Sequence, residues 1–228
     1  MIPSLAAAPA EQPPLPAAVH SAASRHGGEP VCVWVNKAGG STWQFGEHFA
    51  KWNPTGSVES LGDEYQRMRW LRTRFPCPEP VAVVVEDDGE MLLTEALDGL
   101  GAVTDTWRAR PETAVKAIAE GLRRLHALET YDCPFMVDVP ASPLDDTVLS
   151  HGDACAPNTI LAADGTFTGI VDLARVGLAD RWFDLTIAAM SLEWNYGKGY
   201  EPLFYATYGI ERNEERIRFW QQWWNSST

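Results

Sequence analysis

The sequence is short of cysteine, of basic residues and of long apolar runs. Its four cysteines, Cys32, Cys77, Cys133 and Cys155, are scattered over 228 residues with no CxxC pair. That spacing offers neither a zinc site nor a disulfide framework, so free thiols are expected. Lys and Arg number 18 against 31 Asp and Glu, a formal net charge of −13. A phosphate backbone needs a basic patch, which argues against a nucleic-acid partner. A cationic ligand is compatible with the charge, although acidity also serves solubility alone. No apolar run approaches the ~20 residues of a membrane span. The first 28 residues, rich in Ala and Pro, lack the basic start and compact apolar core of a signal peptide. The expected setting is the cytoplasm, away from membranes, as a monomer.

What the chain does have is a globular balance: 45% hydrophobic and 21% charged residues, enough for one large domain or two small lobes. After an Ala/Pro-rich extension and a helix around 14–25, Val31–Val35 reads as a strand. "GGST" at 39–42 turns the chain into a returning strand over 42–52. Leu61, Tyr65, Met68 and Leu71 step by four, three and three, the spacing of one helix face, and "PCPEP" at 76–80 ends that helix. "VAVVVE" (81–86) and "EMLLTE" (90–95) flank Asp87-Asp88-Gly89 as a hairpin. Residues 1–95 thus form a small, mostly antiparallel lobe, with 1–27 as its extension and helix. "ALDGLGA" (96–102) reads as a linker. Residues 103–228 form a larger, mainly helical lobe: Pro111 opens a helix with the stripe Val115, Ile118, Leu122, Leu125, and Trp-rich helices are expected over 179–194 and 213–224. Two such lobes usually leave a cleft.

"HGDACAPN" (151–158) lies between two short apolar runs, Thr147–Leu149 and Thr159–Leu161, and "ADGTFTGIVD" (163–172) closes a second hairpin after it. Hairpin pairing sets the strand ending at Asp172 beside the strand that leaves the loop. Asn158 and Asp172 then face one site. An amide oxygen and a carboxylate, with water and phosphate oxygens, suit Mg²⁺. Asp153 beside that metal can accept a hydrogen bond from a substrate hydroxyl and aim it at a phosphoryl group. In the first lobe Lys51 lies on a strand, with Phe49 two residues back on the same face. It can reach the α- and β-phosphates, and Glu64 can hold its ammonium. Each residue also has an ordinary reading: Lys51 and Glu64 as surface charges, Asp172 as a turn residue, Asn158 as a strand-end cap. Cys155 has no neighbouring base in sequence, which leaves little case for a nucleophile. The ordered set Lys, Glu, Asp-x4-Asn, Asp fits the ordinary readings less well.

With "IVDLARVGLADRWFDL" following it, "HGDACAPN" resembles the catalytic segment of the aminoglycoside phosphotransferases, and of their 3′-phosphotransferase branch in particular. The resemblance runs from about residue 28 to the end and is strongest over 149–188. It implies an α+β, bilobal protein-kinase-like fold, with a small antiparallel-sheet N-lobe and a larger helical C-lobe. It also implies transfer of the γ-phosphoryl group of ATP or GTP to an aminoglycoside hydroxyl, the 3′-OH, and so antibiotic resistance. By position, Asp153 matches the catalytic aspartate, Asn158 and Asp172 the Mg²⁺ ligands, and Lys51 and Glu64 the phosphate-binding lysine and its partner. Phe49 falls where an aromatic ring stacks on adenine. Thr94 and Ala96 fall at the hinge, whose backbone binds adenine. His151 and Arg175 shape the catalytic loop, His151 by structure rather than proton transfer.

The sequence departs from the family on the acceptor side. "CPFMVDVPASPLDD" crosses in few residues a gap that the family fills with a helical insertion, and "WQQWWNSST" stands where the family ends in acidic residues. Candidate carboxylates for an amine-bearing acceptor are Glu193, Asp180 and Asp184, with Glu129 and Asp132 after the long helix. Glu193 is preferred, because Asp180 and Asp184 can instead cap a helix or pair with Arg175 or Arg181. The competing readings are a kinase of the same fold for another antibiotic or a hydroxyl metabolite, and a nucleotide-binding pseudokinase.

Overall fold

The computed structural model describes residues 9–36, 39–140 and 146–227. The first eight residues of the extension, and residues 141–145 of the short crossing, lie outside the described residues. The chain divides into two compact units, Met1–Thr73 with Pro78–Ala96, and Arg74–Cys77 with Leu97–Thr228.

The first unit is built on five antiparallel strands: β1 (Val31–Val35), β2 (Ser41–Phe45), β3 (His48–Pro54), β4 (Pro80–Glu86) and β5 (Gly89–Glu95), in the order β1-β2-β3-β5-β4. Side-chain alternation sorts their residues onto two faces. Cys32, Trp43, Phe45, Ala50, Met91 and Leu93 share one face with Ala18, Val19, Ala22 and Ala23 of α1 (Ala17–His26), a single apolar cluster. The small side chains of α1 let it lie close on the sheet. Phe49, Lys51 and Asn53 of β3, and Glu90, Leu92 and Thr94 of β5, point the other way, where α2 (Leu61–Leu71) packs. The exposed edge of β1 is closed by Gln12, whose side-chain amide donates to the Cys32 carbonyl (3.2 Å) and accepts from the Cys32 N–H (2.7 Å). The single strand expected over 42–52 is in fact a hairpin, β2–β3. Gly46 at φ 53 turns the chain between paired Phe45 and His48, as a Gly-first two-residue loop does.

The second unit comprises β6 (Leu100–Gly101), α3 (Asp105–Arg108), α4 (Pro111–His126), β7 (Thr147–Ser150), a 3₁₀ turn at Ala156–Asn158, β8 (Thr159–Leu161), β9 (Phe167–Ile170), β10 (Gly177–Asp180), α5 (Arg181–Tyr196), α6 (Glu201–Tyr208) and α7 (Glu214–Ser227). β7 pairs with β10, and β6, β8 and β9 form a second small sheet. The segment 96–102, read as a linker, contributes β6 to that sheet. α4 starts at Pro111 and buries the expected stripe Val115, Ile118, Leu122, Leu125, together with His126. α3 and α6 have no counterpart in the sequence reading. None of the four cysteines, all of them described residues, forms a disulfide.

Candidate active site

In the second unit, β7 delivers the chain into His151-Gly152-Asp153. Gly152 turns at φ 80, and a Cβ there would lie 2.3 Å from the Arg175 carbonyl oxygen, so only glycine fits. α5 holds the loop from beneath. The Asp184 carboxylate accepts the N–H groups of His151 (2.6 Å) and Gly152 (3.1 Å), and also meets His126 Nε2 at 3.0 Å. Two turns on, along the same helix face, Ser191 Oγ accepts the Ala156 N–H at 2.9 Å. One helix thus fixes both ends of the loop that carries Asp153.

His151 braces the loop from the other side. Its Nδ1 accepts the Asp153 N–H at 3.3 Å, which assigns the ring proton to Nε2, where it donates to the Val171 carbonyl at 3.1 Å. Both ring nitrogens are engaged, in keeping with the structural role expected of it. Asn158 donates through Nδ2 to the Asp153 carbonyl (2.9 Å), which leaves its amide oxygen turned elsewhere. Its own carbonyl takes the Val171 N–H at 3.0 Å and so ties the chain before Asp172 to Asn158. Asp172, just past β9, has φ 65, the sole non-glycine at positive φ among the described residues. Such a conformation costs ~1–3 kcal/mol and tends to gather at functional sites.

The electrostatics join these groups. Burial, and then the negative charge of Asp172, lift the Asp153 carboxyl above its ordinary value, against weaker opposing pulls from Cys155, His151 and Arg175. Asp153 Oδ1 is buried with no hydrogen-bond partner among the described residues. The Cys155 thiol is pushed well up, by burial and then by Asp153, which favours the protonated form over the nucleophilic thiolate. Carboxylate and amide oxygens are hard donors of the kind that suit a divalent cation, and Mg²⁺ keeps few protein ligands. Among the described residues no cluster of three or more His, Cys, Asp or Glu forms a metal site by itself.

In the first unit, Lys51 Nζ lies 2.7 Å from Glu64 Oε1. The Glu64 side chain is 1% exposed while that of Lys51 keeps 26%, so the pair is anchored on its glutamate side in the interior of the unit. Phe49 and Thr94 are register partners on the Lys51 face. At the expected hinge the Ala96 N–H donates to the Glu47 carbonyl at 2.8 Å, a continuation of the β3–β5 ladder, which leaves the Ala96 carbonyl as the backbone group to consider for adenine.

The acceptor-side candidates separate sharply. Asp184 is fully buried and committed to the catalytic loop and His126, so its proposed contact with an acceptor is corrected. Asp180 is corrected too: it caps α5 through the Trp182 N–H (2.8 Å), lies 3.8 Å from Arg216, and is 6% exposed. Asp132 pairs with Arg74 at 2.6 Å. Glu193 remains exposed, 3.7 Å from Lys198, beside a depression of about 220 Å³ also lined by Tyr200 and Glu201. The sequence reading missed His126 as a partner of Asp184. Its signal was a histidine inside the buried stripe of α4, where a polar group needs a partner.

A model of the phosphotransferase enzyme family (APH) matches residues 33–138 and 135–220. The aminoglycoside 3′-phosphotransferase of Streptomyces fradiae is 31% identical over 216 residues, covering 74% of this chain and 80% of its own. That of Niallia circulans is 29% identical over 212 residues, covering 75% and 80%. The solved aminoglycoside phosphotransferase APH(3″)-Id of Streptomyces rimosus superposes with a TM-score of 0.72 at 26% identity, over 89% of this chain and 93% of that one. The Niallia alignment runs over 212 positions but uses 75% of 228 residues, about 171, so about 40 positions are filled by the relative alone. The family match breaks at 135–138, within the short crossing before β7. With the Lys51–Glu64 pair, the braced Asp153 loop and a family match spanning both units, the chain belongs to the APH phosphotransferase enzyme family and has its α+β, protein-kinase-like fold.

Proposed function

We propose that the enzyme moves the γ-phosphoryl group of ATP or GTP to a hydroxyl of an aminoglycoside, the 3′-OH, and so confers resistance. The observation that carries this reading is Asp153: a carboxylate with a buried, partnerless oxygen, on a loop held by Asp184, Ser191 and His151. Partly desolvated and raised in basicity, it suits the task of receiving a hydroxyl proton. The acceptor hydroxyl donates to Asp153, its oxygen bonds to the γ-phosphorus, and the bond to the β-phosphate oxygen breaks. The diphosphate leaves with the electron pair, and the proton passes to Asp153. Lys51, oriented by Glu64, neutralises phosphate charge, Phe49 stacks on the purine, and the backbone at the Thr94–Ala96 hinge meets its edge. Asn158 and Asp172 would hold Mg²⁺, which supplies charge neutralisation on the phosphates.

Support comes from relatives named for aminoglycoside 3′-phosphorylation and from the Streptomyces rimosus enzyme solved with ADP and streptomycin. A second reading, a same-fold kinase for another hydroxyl compound, is favoured by the about 40 positions of the Niallia circulans relative that have no residue here. The intact Lys51–Glu64 pair weighs against a pseudokinase. Nucleotide supply fits a cytoplasmic enzyme. Among the described residues no helix is long and apolar enough to cross a membrane.

The test is nucleotide consumption that depends on added aminoglycoside, with the product's phosphorylated position determined. In Asp153→Asn, turnover is expected to fall roughly 10²-fold or more, with nucleotide affinity little changed. Near-normal turnover in that variant would sink the catalytic assignment. Phosphorylation of no aminoglycoside in the panel would move the reading to the metabolite kinase.

A further inference from the structure

The charge that holds α2 in place comes from β5. A helix leaves its first N–H groups without partners inside the helix, and its N-terminus attracts negative charge. Here Glu90 of β5 places one carboxylate oxygen 2.9 Å from the Leu61 nitrogen and the other 3.2 Å from that of Gly62. Ser60 Oγ takes the Asp63 N–H at 3.3 Å, a conventional local cap. Asn53 of β3, the register partner of Glu90, donates through Nδ2 to the Glu59 carbonyl at 3.0 Å. The start of α2 is thus bolted to the two strands that form the floor under Lys51. Asn53 is two residues from Lys51, and Glu90 two from Leu92, the register partner of Lys51, all on one face. Glu64 lies less than one turn beyond Leu61 and Gly62, so little helix separates the Glu90 clamp from the Lys51–Glu64 contact at 2.7 Å.

We infer that Glu90 is a positioning residue for phosphate binding: by clamping the N-terminus of α2 it sets where Glu64, and through it Lys51, stands. This rests on the reading of Lys51 as the phosphate-binding cation. An ordinary cap would stabilise the unit and do nothing to nucleotide affinity. A positioning clamp acts on that affinity through one specific pair.

The experiment is calorimetric titration of the purified full chain with ATP in the presence of Mg²⁺, which needs no acceptor. Glu90→Gln keeps the side-chain size and one acceptor oxygen, and its folding is checked by circular dichroism. The Kd for ATP is expected to rise roughly three- to tenfold, the scale of one lost capping interaction. In a Glu64→Gln background the same substitution is expected to change Kd no further, because the element it acts through is already gone. A lowered melting temperature with unchanged Kd would overturn the inference, as would full additivity with Glu64→Gln. Lys51→Ala is the control. If it weakens ATP binding while Glu90→Gln does not, the inference alone falls. If Lys51→Ala has no effect, the phosphate-binding reading of Lys51 falls and takes the inference with it.

Discussion

Asp184 brings a carboxylate into the protein interior with no surface left to water, a placement that is costly unless hydrogen bonds answer it. Burial alone would raise its pKa. The hydrogen bond and charge of His126, with the charge and the N–H of His151, outweigh burial and leave it below its ordinary value of 3.8. A depressed folded value means that the carboxylate stabilises the fold above the unfolded value and that this contribution is lost as pH falls through the folded one. Asp184→Asn is therefore expected to cost roughly 3 kcal/mol at neutral pH, the scale of a broken buried pair. The gap from the parent should shrink below about pH 4. Chemical denaturation of both proteins across pH checks this, and a gap independent of pH would contradict it. Sequence reading placed Asp184 correctly on the helix after the hairpin but gave it to the acceptor. Helix-face spacing relates Asp184 to Asp180 and cannot reveal that the face looks inward at the loop. The placement of Asp153 and Asn158 on one loop, and of Asp172 just past β9, was legible because it is set by spacing within one loop and one hairpin. The use of the Ala96 N–H by Glu47 was not, since ladder register is not written in composition.

At the scale of elements, long periodic stretches were readable and short ones were not. α2 runs over the residues that its apolar steps mark out, and α4 begins at its proline. β2 and β3 were merged because Gly46-Glu47 sits inside a continuous alternation of aromatic and polar residues. α6 was missed: it is eight residues long, with little contrast between its faces. β10 matters more than its four residues suggest. It pairs with β7, which feeds the catalytic loop, and it is bridged on its other side by Met136 to Leu178. Gly177 makes that possible, since a Cβ there would lie 2.7 Å from the Met136 carbonyl carbon and 2.9 Å from the Val137 nitrogen. Both obstacles are backbone and cannot rotate away. Gly177→Ala is expected to destabilise the protein by about 1–3 kcal/mol, the cost of overpacking a filled interior. Thermal melting measures it. An unchanged melting temperature would mean that the 135–137 segment yields freely and does not support β10.

For the whole molecule, charge decides how a cationic acceptor is met. The net charge of −13 draws in a polycation from a distance, but affinity needs carboxylates facing it. Asp180 and Asp184 are withdrawn into caps and braces, and Asp132 is matched by Arg74. About 40 positions present in the Niallia circulans relative have no residue here, and the family match breaks at 135–138. Fewer short-range contacts leave more of the binding to long-range attraction, which salt screens within about 8 Å at physiological ionic strength. The acceptor KM is therefore expected to rise several-fold between about 0.05 M and about 0.3 M salt, with kcat much less affected. Glu193, exposed beside Tyr200 and Glu201, is the carboxylate best placed to contribute. Glu193→Gln should raise KM at low salt by roughly two- to fivefold and flatten the salt dependence, the behaviour of one exposed charge pair. Kinetics with kanamycin-type acceptors at several salt concentrations decide the matter. A KM indifferent to salt would show that the acceptor is held by uncharged contacts, and would favour a neutral hydroxyl compound as the natural substrate.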